Sequence, residues 1–242
     1  MEAKLFNLSR SETAWGAGMS TQGPGISATS SHTLGRISLK HEFSKQHLQA
    51  AEFFTSKARE METNIPKPNE TQFSEHRAYV TAAVLSAVSF LEASINELYL
   101  SAIDQSLTAL PGFDARLFQL LARFWTENER SPILDKYQDM LLLAGKDRFL
   151  PGVPPYQPVN DVVKLRDALV HYKPEWQDEA GQSQNLEKRL HRKFPLNPYA
   201  SSGSLWFPHQ CLGAGCAQWA VDTTRNFSDS FCDRLTIPRR SI

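Results

Sequence analysis

Between about residues 71 and 109, apolar side chains hold a helical period for longer than anywhere else in the chain. Val80, Val84, Ala87, Leu91, Ile95 and Leu98 return every three or four residues, which on a 3.6-residue turn places them on one face. A second row, Leu85, Ser89, Glu92, Asn96 and Tyr99, runs beside the first. Small alanines and serines at 82, 83, 86, 87, 93 and 94 let neighbouring backbones come close. Such a stripe must be covered by other helices, so the chain is expected to be all-α. Asn69 or Thr71 offers an N-cap, and Pro111-Gly112 is expected to end the helix.

The other segments supply the covering helices. Phe43, Leu48, Ala51 and Phe54 predict a helix over 41–63, closed by Ile65-Pro66-Lys67-Pro68. Residues 113–125 and 133–143 predict two shorter amphipathic helices with Ser131-Pro132 between them. A proline-rich loop at 150–158 leads to a helix over 160–173, for which Asn160 is the expected N-cap, Asp161 a first-turn acid and Pro174 the stop. A charged helix over 176–193 and a last helix over 213–235 follow, and the tail Pro238-Arg239-Arg240 is expected to fray. Residues 13–36 are rich in Gly, Ser, Thr and Ala, so 1–40 reads as a loosely packed arm, with 37–39 a short extended piece, and 41–242 as one helical domain. The architecture expected is an up-and-down bundle with an extra C-terminal helix.

Charge and cysteine usage narrow the function classes. Lys plus Arg equals Asp plus Glu at 26 each, so no global field marks a nucleic-acid or membrane-surface binder, and contact with RNA would need a local basic patch. The cluster Lys188, Arg189, His191, Arg192 and Lys193 is one candidate for phosphate contacts, or else the basic end of a solvated helix. Three cysteines fit a reducing compartment better than a disulfide framework. No apolar signal core opens the chain and no run was expected to span a membrane, so a cytoplasmic location is expected. No cofactor is expected. His209, Cys211, Cys216 and Cys232 lack the spacing of a zinc set, and Gly213-Ala-Gly215 lacks the Gly-Lys-Ser/Thr ending of a phosphate loop.

The chemistry-bearing stretch is Arg166-Asp167-Ala168-Leu169-Val170-His171. On a helical wheel Val162, Val163, Leu165, Leu169 and Val170 form an apolar arc that encloses Arg166. A cation so placed needs a partner, because an unpaired buried charge is costly, and Glu92 is the first choice. Asp167 precedes His171 by one turn, so its carboxylate can reach the imidazole. Arg166 and His171 lie about 140° apart on an ideal helix. Either the last turn is distorted or a second copy of the helix completes a site.

The motif resembles the signature of HEPN domains, an arginine, a polar residue and a histidine four to six positions on. Phe90-Leu91-Glu92-Ala93 and Asn96-Glu97 are similar to the acidic first core helix of that family, and together the likeness covers about residues 75–175. Tyr172 directly follows His171, whereas members that are targets of a partner nucleotidyltransferase carry the tyrosine one residue later. The resemblance implies a metal-independent endoribonuclease acting as a homodimer, in a toxin or defence role, with an antitoxin or regulator as a further partner. It implies Arg166, Asp167, His171 and Glu92 as catalytic residues, and Asn96, Lys164 and Tyr172 as candidates for substrate contact. The alternatives are a non-catalytic scaffolding or RNA-binding module of the same kind, and a protein that binds a nucleotide in the interface cleft.

Overall fold

A computed structural model describes residues 3–6, 36–39, 42–174 and 181–240 of the chain. The chain divides into two units, Met1–His41 and Glu42–Ile242. In the first, β1 (Ala3–Phe6) and β2 (Arg36–Leu39) pair antiparallel, with Ala3 opposite Leu39 and Phe6 opposite Arg36. The arm expected over 13–36 lies, apart from Arg36, outside the described residues.

The second unit is all-α. Its helices are α1 (Ser44–Asn64), α2 (Glu70–Ile103), α3 (Ala115–Asn128), α4 (Ile133–Leu143), α5 (Tyr156–Val170), α6 (Gly181–Leu190) and α7 (Ala214–Leu235), with one π turn at Trp206–Gln210 before the last. α2 is the axis, packed against α1, α3, α4, α5 and α7. Val80, Val84, Ala87, Leu91, Ile95 and Leu98 are all buried, as the period requires. By length and composition this helix passes for a bilayer span, with an 18-residue window of mean hydropathy 1.6, contrary to the expectation that no run approaches one. Half of that window is buried inside the bundle.

Local chemistry sets the helix ends. Asn69 and Gln72 make a reciprocal capping box at the start of α2: Gln72 N–H donates to Asn69 Oδ1 at 2.9 Å and Asn69 N–H to Gln72 Oε1 at 3.0 Å. At the other end α2 stops at Ile103, short of the expected 109. Gln105 takes a left-handed φ of 51°, its N–H bonds Ala102 O at 3.1 Å, and Ser106 N–H bonds Ser101 O at 2.9 Å. That is a Schellman closure in which glutamine stands where glycine is usual.

Two carboxylates fix how α1, α2 and α7 lie. Glu97, late on α2, accepts from the backbone N–H of Phe43 at 2.6 Å and of Ser44 at 2.8 Å, and from the Ser44 hydroxyl at 2.5 Å. It caps α1 from a neighbouring helix, which makes α1 and α2 antiparallel. Arg240 donates to the same carboxylate and lies 3.1 Å from Glu42. The expected frayed tail is therefore tied down, because a mostly buried glutamate gives it an anchor. Glu62, near the end of α1, accepts from Ala214 N–H at 2.7 Å and from His76 Nε2 at 2.8 Å, so α7 runs antiparallel to α1. A Cβ on Gly213 would stand 2.8 Å from Asn197 Cα, and one on Gly215 2.8 Å from Pro195 Cδ. These glycines serve close backbone approach, and Glu62 already occupies the helix N-terminus beside them.

Candidate active site around the end of α5

α5 begins four residues before the expected N-cap. Pro155 is its N-cap and Pro158 sits in its first turn, where a missing N–H costs no intrahelical bond. Asn160 and Asp161 are consequently inside the helix. Asp161 is fully buried, one turn before Leu165 and two before Ala168 on the inward face. Its carboxylate accepts from Gln157 Nε2 at 2.5 Å, Arg189 at 2.5 Å and Lys193 Nζ at 2.7 Å. Two cations of the basic cluster therefore clamp α5 to the end of α6. Lys188, His191 and Arg192 remain exposed. The part of the charged helix expected over 176–180 lies outside the described residues.

The far end of α5 carries the motif. Arg166 stands one turn from Val162 and two from Val159, both fully buried, and its side chain is 26% exposed. Its Nε lies 3.2 Å from Asp167 Oδ1, off hydrogen-bonding alignment, and has no hydrogen-bond partner. The carboxylate beside Arg166 is thus its own neighbour on the helix. The expected partner Glu92 is half-exposed on α2 and lies 4.0 Å from Lys136 Nζ of α4. Asn96 turns the same way, accepting from Lys136 Nζ at 3.0 Å.

Lys136 is the cation that both side chains face. It is buried among the apolar neighbours of α4, its ammonium 5.2 Å from the Trp125 ring, and Tyr99 donates to its carbonyl at 3.0 Å. Desolvation lowers its pKa, against the opposing pull of Glu92 and Glu129. A buried ammonium needs such acceptors, and α2 supplies them in Asn96 and Glu92. In the sequence, Lys136 interrupts the inward row of Ile133, Tyr137 and Met140, as Arg166 interrupts that of α5.

His171 is the C-cap of α5, at φ −107° and ψ 34°; its N–H still donates to Asp167 O at 2.8 Å, and its side chain is exposed. The helix ends at Val170, before the expected 173. Tyr172 has left the axis, its ring 6.0 Å from that of Phe207. The backbone leaves helical geometry only at His171, whose bond to Asp167 O keeps the last turn closed. Asp167 lies against the guanidinium, where the sequence had aimed it at the imidazole. Lys164 is exposed on the outer side of α5, and Val170 and Tyr172 flank His171 with exposed apolar surface, at 53% and 46%. The motif residues Arg166, Asp167, His171 and Tyr172 therefore share one helix end, while Glu92 and Asn96 belong to the Lys136 cluster.

Among the described residues no group of three or more His, Cys, Asp or Glu side chains stands together as a metal set. Cys211, Cys216 and Cys232 are free and buried. Burial pushes all three thiols up, Cys232 to about 11. His209 is lowered, by desolvation first and then by Arg77. No family model, curated protein or solved structure matches the chain.

Proposed function

We propose that the end of α5 is the working part of a metal-independent endoribonuclease that acts as a homodimer. The observation that carries the reading is the exposed imidazole of His171 at a helix C-cap, with the Arg166–Asp167 pair one turn below it. The chemistry suits these groups. A ribose 2′-oxygen attacks the adjacent phosphorus, an imidazole takes its proton, and the bond to the 5′-oxygen breaks as that oxygen gains a proton. Two imidazoles divide the work of base and acid, and two copies of the α5 end supply them. The planar guanidinium of Arg166 holds the charge that gathers on the phosphorane, with Asp167 setting its orientation. Val170 and Tyr172 give the pairing face apolar area, and Lys188, His191 and Arg192 offer phosphate contacts. The likeness to HEPN domains supports the same reading and is the whole basis for a toxin or defence role restrained by an antitoxin.

Purified protein should cut single-stranded RNA in the presence of a chelator and leave a cyclic phosphate end. His171→Ala should slow the reaction roughly a hundredfold or more. Arg166→Lys should not restore what Arg166→Ala loses, since an ammonium lacks the fork. Chelator-sensitive cutting, or full rate in His171→Ala, would overturn the reading. A second reading, a non-catalytic RNA-binding or scaffolding module, is favoured by the Arg166–Asp167 pair and by Glu92 being committed to Lys136. RNA binding by a monomer without cleavage would select it.

A further inference from the structure

α1 and α7 lie antiparallel, and their seam opens into a cleft of about 240 Å³. A seam between two core helices ordinarily presents apolar side chains at the facing positions. Here α1 contributes Glu52, Ser56 and Arg59, spaced by one turn and then another, and α7 contributes Gln218 and Arg225, two turns apart. Val221 and the buried Thr55 complete the lining. The Thr55 hydroxyl is already engaged, donating to Ala51 O at 2.8 Å.

The two arginines are held differently. Arg59 donates to Gln218 Oε1 at 2.8 Å, and Gln218 is itself steadied by its amide, which donates to Asp222 at 2.8 Å. Arg225 pairs with Glu52 through one terminal nitrogen. Its Nε is buried and has no hydrogen-bond acceptor. A buried donor on a permanent cation is costly to leave unmatched, and a guanidinium fork fits an oxyanion by paired bonds. Arg59 and Arg225 face one lining carboxylate, Glu52, with Asp222 a further acid behind Gln218. Ser56 is exposed and stands between Glu52 and Arg59 on the lining face of α1.

We propose that this cleft binds the terminal phosphoryl group of a small molecule, with Arg225 and Arg59 as its two cationic contacts and Ser56 as a hydroxyl donor. The volume sets the class. It falls below the roughly 300–1,000 Å³ of pockets that enclose drug-sized ligands, so it suits a phosphate or diphosphate group and leaves any larger remainder outside. The site is on α1 and α7, apart from the motif on α5, and stands whether or not that motif cuts RNA.

The test is a calorimetric titration of the full chain with inorganic phosphate and with inorganic diphosphate, at matched ionic strength. Saturable one-site binding is expected, tighter for diphosphate. Arg225→Gln and Arg59→Gln should each weaken it at least tenfold. Because Arg225→Gln also removes the pair with Glu52, Ser56→Leu provides an independent check. It fills the mouth of the cleft and leaves both guanidinia in place, and it too should abolish binding while the unfolding transition stays cooperative. A 5′-mononucleotide should displace diphosphate, through its terminal phosphate. Absence of binding in the wild type, equal titrations in wild type and Ser56→Leu, or displacement by an oligoribonucleotide lacking a terminal phosphate would each overturn the proposal.

Discussion

Asp161 shows what one buried charge does to its surroundings. Its carboxylate is wholly removed from solvent, while its two cationic partners are not: the Arg189 side chain is 44% exposed and that of Lys193 24%. Losing either cation leaves the other, with Gln157, to satisfy the acid. Losing both strands it, and a stranded buried charge destabilises by about 3–5 kcal/mol. Arg189→Ala and Lys193→Ala should therefore be mild alone, and the double variant should cost clearly more than their sum. Denaturant midpoints of the four proteins in the cycle measure this. Simple additivity would mean that water or another group takes over the carboxylate. The sequence marked the position only as a first-turn acid, because an interhelical partner 28 residues away leaves no local trace. Arg166 was legible as an anomaly for the opposite reason: its apolar neighbours on α5 are local. Its partner was not: the guanidinium lies beside Asp167, while Glu92 faces Lys136, a residue of another helix.

Whole helices were read more accurately than their ends. The stripe of α2 and the span of α4 follow from periodicity, and the Asn69 cap of α2 from the side-chain oxygen before the first turn. The end of α2 was misread because it closes on Gln105, left-handed at φ 51°, where a sequence reading looks for glycine. The end of α7 at Leu235 was read correctly, although it too closes on a left-handed residue, Thr236 at φ 60°. α5 starts earlier than Asn160 because prolines are tolerated in a first turn, and it ends earlier than Pro174 demands. The two left-handed residues are exposed, so their side chains give little packing in return for the strain. Gln105→Gly and Thr236→Gly should each stabilise the fold by up to about 1 kcal/mol, the relief of the Cβ clash less the added freedom of the unfolded chain. Thermal unfolding checks this, and the β-branched Thr236 should show the larger gain. A loss of stability at both sites would show that these side chains hold the turns by contacts that outweigh the strain.

At the scale of the molecule, Glu97 joins segments that are far apart in the chain. It caps the start of α1, 53 residues back, and holds Arg240, 143 residues on, so the first helix, the axis and the tail meet at one carboxylate. Desolvation raises its pKa, but the Ser44 hydroxyl, the N–H groups of Ser44 and Phe43, and Arg240 together outweigh it, and the net shift is downward. A folded-state value below the unfolded one means that the unfolded chain binds the proton more readily. The stabilisation is therefore complete above the ordinary glutamate value of about 4.3 and is lost as the pH falls through the lower folded value. Glu97→Gln keeps the shape and removes the charge. Near neutral pH it should cost about 1.5–3 kcal/mol, the usual worth of hydrogen bonds to a charged group. The gap between variant and wild type should narrow on acidification, because protonation makes the wild type resemble the variant. Exposed acids such as Asp233, lowered by Arg239, titrate alike in both proteins and cancel in the difference. Urea unfolding from pH 7 down to pH 3 would show it. Two stability curves that stay parallel over that range would mean that the carboxylate charge is not what holds α1, α2 and the tail together.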